Sequence, residues 1–519
     1  MIKNLKWLLL VSITFVACTS NNDTTVVSNS SDGLPLTAGS ANFSKYVSLG
    51  NSLCAGYSDG GLFKAGQENS YPNILSKQFA LVGGGEFKIP YMNDNVGGLL
   101  LGGIQIQGPR LYLAPGNVPT PVSGTTTTDI TNILTGPFNN MGVPGAKSFH
   151  LLAANYGNIA GVALGQANPY FVRFASSPSA TIIGDAVAQN PTFFSLWIGN
   201  NDVLAYATSG GVGVNQLGNV NLATYGGNDI TDPTVFANVY STLLDQLTAN
   251  GAKGVVANIP YVSSVPFFTT VPTNPIPGLS PAQAGQLNQL FGGINAALAG
   301  AGLPGRFATI LADDGNPATT ERNPLLIIDE SLINISAQIT AALINAGYPT
   351  PTAGYLGNLY GRARHASNTV GNSDYILLTS RGIIGTYQSG APAPFNVIGV
   401  SNPMQDGTVL TAAENAEIVT ATTAFNASIA ALASAKGLAF VDANAILNQV
   451  NNGGLVSNGY TMTSTYVTGN SFSLDGVHPS PKGYALIANK FLEAINAKYG
   501  SNFKGVNLGQ YQILYPGSL

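Results

Sequence analysis

The sequence predicts a three-layer α/β/α fold with a mainly parallel sheet, carrying large insertions. Three observations lead there. Short, continuously apolar segments alternate with amphipathic helical ones, the pattern of strands buried on both faces. The helical segments carry their own start and stop residues. Apolar residues make up 45% of the 519, ample for a large core, while charged residues make up only 8%. An average soluble protein carries about 25% charged residues, so Ser, Thr, Asn and Gly must wet this surface.

Tyr46 to Gly50 (YVSLG) reads as the first strand, closed by glycine. Ser70 and Pro72 open a helix that continues through Leu75 and Phe79, with proline at an early helical position. Phe193 to Ile198 (FFSLWI) is the second strand, ended by Gly199. Asp232 and Pro233 start a helix with Phe236, Val239, Leu243 and Leu247 on one face, and Gly251 closes it. Gly254 to Ile259 is the third strand. Thr411 to Glu414 forms a capping box for a helix with Ile418, Phe425, Ile429 and Leu432 on one side, stopping at Lys436-Gly437. Leu438 to Val441 is the fourth strand, and Ser480-Pro481 begins a last helix ended by Gly500. Two stretches interrupt the alternation. Residues 83–137 are rich in Gly, Pro and Thr, and residues 260–405 hold strand-like runs at 325–329 and 375–378. Both read as insertions on one α/β domain spanning 42–519. The length of the second also permits a separate domain.

Composition excludes several classes. Disorder needs few apolar residues and charge of one sign. A coiled coil needs Glu and Lys heptads. A nucleic-acid binder needs a basic excess, whereas 20 Lys+Arg against 24 Asp+Glu gives −4, so no nucleic-acid partner is expected. With 3 His and 2 Cys, no Cys/His metal cluster is expected.

Residues 1–17 read as a signal peptide: Lys3 and Lys6, then an apolar run too short to span a bilayer. Residues 18–41, polar and small, read as a flexible tether. Phe15 to Cys18 (FVAC) resembles a bacterial lipobox. That resemblance implies cleavage before Cys18, acyl chains on its sulfur and amine, and a membrane anchor in the bacterial cell envelope, with the outer membrane as the expected site. Cleavage removes two lysines and no acids and leaves a charge of −6. Acyl chains contribute about 0.8 kcal/mol per buried methylene, and more than one gives stable anchoring. Cys54, the only other thiol, reads as a small buried apolar residue.

Four spots carry chemistry. Gly50-Asn51-Ser52-Leu53 follows the first strand, where a tight turn can present a hydroxyl above the sheet. In Asp475-Gly476-Val477-His478-Pro479, an Asp three residues before a His can accept the imidazole Nδ1–H and leave Nε2 to take a proton. Gly199-Asn200-Asn201-Asp202 places an amide at a strand end, where it can donate to a developing negative oxygen. Asn140 to Gly145 offers a glycine amide for the same purpose. Alone, residues 50–53 and 199–202 read as turns and residues 140–145 as a loop, whereas the Asp475–His478 pair with its flanking proline favours the functional reading.

In this order, GNSL, NMGVPG, GNND and DGVHP resemble the four blocks of the SGNH (GDSL-type) hydrolases, over about Tyr46 to the end. The resemblance implies a flavodoxin-like α/β/α fold with Ser52 as nucleophile, His478 as base and Asp475 as its orienting acid. It also implies an oxyanion hole from the Ser52 and Gly145 amides and the Asn201 side chain, with no metal or cofactor. A Ser hydroxyl needs such a neighbouring base to become a useful nucleophile. Two departures stand out: Asn51 occupies the family's usual Asp position, and Asn201 and His478 lie far apart in sequence. The 259–268 stretch (IPYVSSVPFF) is expected to line the cleft.

The expected activity is a lipid-anchored serine esterase. Its substrate is an acyl lipid, a short-chain ester or an acetylated glycan. Two other readings compete. A non-catalytic surface lipoprotein that binds glycans or partners would draw on the low charge and long insertions. An outer-membrane β-barrel would need alternating strands of about ten residues throughout, which the helix signatures oppose. Asp313-Asp314 suggests a calcium loop but lacks the acid spacing and closing Glu, and reads as a surface turn. His150 and His365 read as packed or solvated.

Overall fold

The computed structural model describes residues 30–519; Cys18 and the signal segment lie outside the described residues. Five segments form one parallel sheet: β1 (Tyr46–Gly50), β2 (Asn140–Gly142), β3 (Phe193–Trp197), β4 (Lys253–Ala257) and β5 (Ala439–Val441). Their order is β5-β4-β3-β1-β2. This is the flavodoxin-like doubly wound order, whose topological switch lies between β1 and β3. In register, Ser48 sits beside Ser195 on one side and Asn140 on the other.

Both faces of the sheet are covered, which is why β1 and β3 read as unbroken apolar runs. The covering helices are α1 (Tyr71–Ala80), α2 (Pro233–Thr248), α3 (Ala412–Ala435) and α4 (Pro481–Tyr499). On one face α1 packs against α4, with Tyr71 and Phe491 ring centroids 4.8 Å apart. On the other, α2 meets α3 through Phe236 stacked on Phe425 at 4.2 Å. The caps form as the sequence indicates. Asp232 Oδ1 accepts the amides of Thr234 and Val235, Thr411 and Glu414 close their box, and Ser480 Oγ accepts the Gly483 amide. Helix α3 is long and apolar enough to cross a membrane by length and composition, but here Ile418, Phe425 and Ile429 are buried in the core.

A buried polar seam runs through the sheet. Tyr46 Oη and Ser195 Oγ are 2.7 Å apart, Ser195 donates to Ser48 Oγ at 2.8 Å, and Ser48 Oγ lies 3.0 Å from Cys54 Sγ. These hydroxyls satisfy one another, which removes the cost of burying them. Cys54 is a free, fully buried thiol whose pKa burial pushes up to about 12.

Residues 83–137 hold two hairpins, one joining Leu99–Leu101 to Ile104–Gln107 and one joining Leu111–Ala114 to Val118–Pro121. Between β4 and β5, the helices Pro281–Gly300, Ser336–Asn345 and Thr350–Tyr360 enclose an apolar cluster of their own, with Ile294, Leu298, Ile339 and Leu356 at its centre.

Two expectations need correction. Residues 140–142, read as loop, form the edge strand β2. The tether reading of 18–41 does not extend over its last part. The amides of Ser31, Thr37 and Ser40 donate to Asn502 O, Asn502 Oδ1 and Tyr499 O, each at 2.8 Å. Hydrogen bonds to the end of α4 and to Asn502 just beyond it hold this segment where composition offered little apolar burial.

Candidate active site

Strand β1 ends where the chain must turn sharply. A Cβ at Gly50 would lie 2.5 Å from Trp197 O, so only glycine allows this approach of β1 to β3. Asn51 then caps the short helix Ser52–Ala55: its Oδ1 accepts the Leu53 amide at 3.0 Å. Its Nδ2 donates to Asn200 Oδ1 at 3.2 Å, tying the first block to the third. With Asp at position 51 the Asn200 amide would have to turn over so that its Nδ2 donates instead.

Residues 475–478 lie in the loop before α4. Gly476, at φ +71°, lets the loop fold back so that Asp475 reaches His478. His478 Nδ1 lies 2.8 Å from Asp475 Oδ2, and His478 Nε2 lies 2.8 Å from Ser52 Oγ. The loop thus brings Asp475 and His478 to Ser52, more than 400 positions earlier in the chain. Tyr57 packs its ring 4.6 Å from the imidazole.

Asp475 is the hub of the loop. Its Oδ1 accepts the amides of His478 (2.8 Å) and Val477 (2.9 Å) and the Ser473 hydroxyl (3.1 Å). Its Oδ2 also accepts the Gly60 amide at 2.9 Å. Burial pushes this carboxyl up, but His478 and the backbone donors outweigh that and hold it down at about 2.

Asn201 begins the helix Asn201–Thr208, and its Nδ2 donates to Ala146 O at 2.9 Å. Fully buried Asp202 accepts both the amide and the hydroxyl of Ser148, at 2.8 and 2.6 Å. The third block therefore clamps the loop that carries Gly145, which sits at φ +80°. Among the described residues, the Ser52 and Gly145 amides donate to no protein acceptor. Free amides of this kind are what an oxyanion hole needs.

Ser52 and His478 open into a cleft lined also by Asn200, Asn201, Pro260, Val262 and Val265, so the 259–268 stretch lies where the sequence places it.

The sequence reading missed several supports of the site: Gly60, Ser473, Asn200, the Asp202–Ser148 clamp and Asp59. Buried Asp59 accepts the Leu474 amide at Oδ1, and its own amide donates to Ser473 Oγ, both at 2.9 Å. Burial, opposed by the Leu474 amide and reinforced by the Asp475 charge, pushes Asp59 up to about 7. Asn200 and Asp202, which flank Asn201 in GNND, were the readable signals among these.

The other candidates lie outside this cluster. His150 stacks on Tyr156 and accepts the Lys147 amide at Nδ1, while His365 accepts the Ala308 amide. Burial lowers both imidazoles to about 4. Among the described residues, Asp313, Asp314 and Glu321, and separately Glu330, Asp406 and Glu414, bring carboxylate oxygens within 4.8 Å of one another. Neither group includes Ser52, His478 or Asp475. Asp313 and Asp314 accept the amides of Gly315 and Asn316, as expected for a surface turn.

No family model and no curated protein matches the chain. Among solved structures, the Clostridium thermocellum family 3 carbohydrate esterase is similar over 50% of this chain and 74% of that one, at 17% identity and a TM-score of 0.16. A likeness at that score carries no argument about activity.

Proposed function

We propose that the chain is a serine esterase of the SGNH (GDSL-type) kind. The observation that carries this reading is the pair of 2.8 Å contacts linking Ser52 Oγ to His478 Nε2 and His478 Nδ1 to Asp475 Oδ2. A binding protein has no need of a hydroxyl, a base and a partly buried carboxylate in line.

In the proposed reaction His478 Nε2 takes the Ser52 proton as Oγ attacks the ester carbonyl carbon. The new oxyanion faces the Ser52 and Gly145 amides and Asn201 Nδ2. Each such donor contributes about 3–4 kcal/mol to transition-state stabilisation. His478 passes its proton to the departing alkoxide, leaving an acyl group on Ser52. Water, deprotonated by His478, releases the acid and restores the hydroxyl. Asp475 stays ionised throughout. It fixes the Nδ1–H tautomer and stabilises the imidazolium.

We further propose that Cys18 carries the acyl chains that its lipobox-like setting implies, placing the esterase on a membrane of the bacterial envelope. Detergent-phase partitioning that is lost in Cys18→Ser tests the anchor. Turnover of chromogenic carboxylic esters tests the chemistry: the natural chain hydrolyses them and Ser52→Ala does not. Equal turnover by both would overturn the reading.

A further inference from the structure

The cleft is polar at one end only. From Ser52 it runs past the carboxyl ends of β3, β4 and β5, between the helix Ala443–Asn451 and α4, with a cavity volume of about 130 Å³. Past Ser52, His478 and the asparagines, its walls are aliphatic or aromatic, among them Val265, Ile446, Leu447 and Leu486. Its floor is Trp197 and Phe491, both buried. The remaining polar lining groups are already engaged: Ser471 Oγ with Gly469 O, and Lys490 Nζ with Glu493. A sugar ring in this space would leave its hydroxyls unpaired, which is costly.

We infer that this cleft is an acyl pocket for medium-length fatty acyl esters. The inference rests on the esterase reading above and names its substrate class. The acyl group stays on Ser52 between the two halves of the reaction, whereas the alcohol must leave after the first. A cleft with a buried apolar floor suits the group that stays. The α4 residues that line it run from Gly483 to Phe491. At 1.5 Å per helical residue they span ~12 Å. An extended chain with ~1.5 Å bonds advances ~1.3 Å per carbon, so roughly eight to ten carbons fill that length. Each methylene buried there raises kcat/KM about fourfold while the pocket has room.

The test uses the full chain with p-nitrophenyl esters from acetyl to palmitoyl, and in parallel with alkyl acetates of growing alcohol length and with acetylated xylan. kcat/KM is expected to rise at least a hundredfold from acetyl to octanoyl and to level or fall beyond decanoyl, with no such rise across the alkyl acetates. Ile446→Trp is expected to shift the optimum to shorter acyl chains. A preference for acetyl esters or acetylated xylan, a dependence on alcohol length instead, or an unchanged optimum in Ile446→Trp would overturn the pocket. Ser52→Ala separates the two levels. Turnover that survives in it refutes the esterase reading itself. Ser52-dependent turnover with a flat acyl profile refutes the pocket alone.

Discussion

Replacing Asp475 by Asn keeps the size of the side chain and removes what the loop is built around. Five donors converge on this carboxylate, three at Oδ1 and two at Oδ2. An amide has one oxygen to offer them. With its oxygen toward His478, the amide nitrogen faces the N–H groups of Val477 and His478. With its nitrogen toward His478, the imidazole must accept at Nδ1, so the proton moves to Nε2 and the ring no longer takes the Ser52 proton. Donor facing donor costs about 1–3 kcal/mol of stability. Loss of the productive tautomer in such a triad costs about ten-thousandfold in kcat, or ~5 kcal/mol of barrier. The assay is steady-state ester hydrolysis by Asp475→Asn and the natural chain near pH 8, with circular dichroism melts to establish that both are folded. A folded Asp475→Asn chain with kcat within tenfold of the natural one would refute the reasoning.

Two further predictions concern the supports of the site. Asn51→Asp buries a carboxylate at a position 1% exposed and makes the Asn200 amide turn over to donate to it, so it is expected to cost about 1–3 kcal/mol of stability in denaturant unfolding while leaving Ser52 reactive; an unchanged or raised unfolding midpoint contradicts this. Asp59→Asn tests the buried acid behind the loop. Burial raises its folded-state pKa to about 7, while the unfolded chain ionises near the ordinary value of 3.8. Between those values the unfolded state binds fewer protons than the folded one, so this group's contribution to stability falls as pH rises from about 4 to 7. Asn has no proton to lose and its oxygen can still accept the Leu474 amide. Asp59→Asn is therefore expected to gain on the order of 2–4 kcal/mol relative to the natural chain between pH 4 and pH 8, read from urea midpoints. An equal difference at both pH values would contradict it.

Much of the fold is legible because its signals are local and redundant. The strand Phe193–Trp197 is buried on both faces, so it needs no alternation to be recognised. Helices α2, α3 and α4 announce themselves by caps at Asp232, Thr411 and Ser480. Strand β2 escapes because it is three residues long and begins with Asn140, whose burial is offset by hydrogen bonds to Cys54 O and the Gly142 amide. The helix Pro281–Gly300 was readable in part: Ser280 and Gln283 form a capping box. Its burial against the Ser336–Asn345 helix depends on the tertiary arrangement. At the site, side chains that act through their own chemistry, Ser52 and His478, leave a motif. The donors that hold Asp475 do not. Gly60 contributes a backbone amide from 415 residues away, and any residue but proline has one. Asp59 reads as an ordinary loop acid until the fold buries it.

The most direct measurement of the central claim is the site and stoichiometry of covalent labelling by a fluorophosphonate, mapped by mass spectrometry of peptides. The account predicts one adduct per chain, on Ser52, and its loss in His478→Ala, because the hydroxyl gains its reactivity from the imidazole 2.8 Å away. No adduct on Ser52 in the folded natural chain, or labelling of Ser52 that is undiminished in His478→Ala, would contradict it.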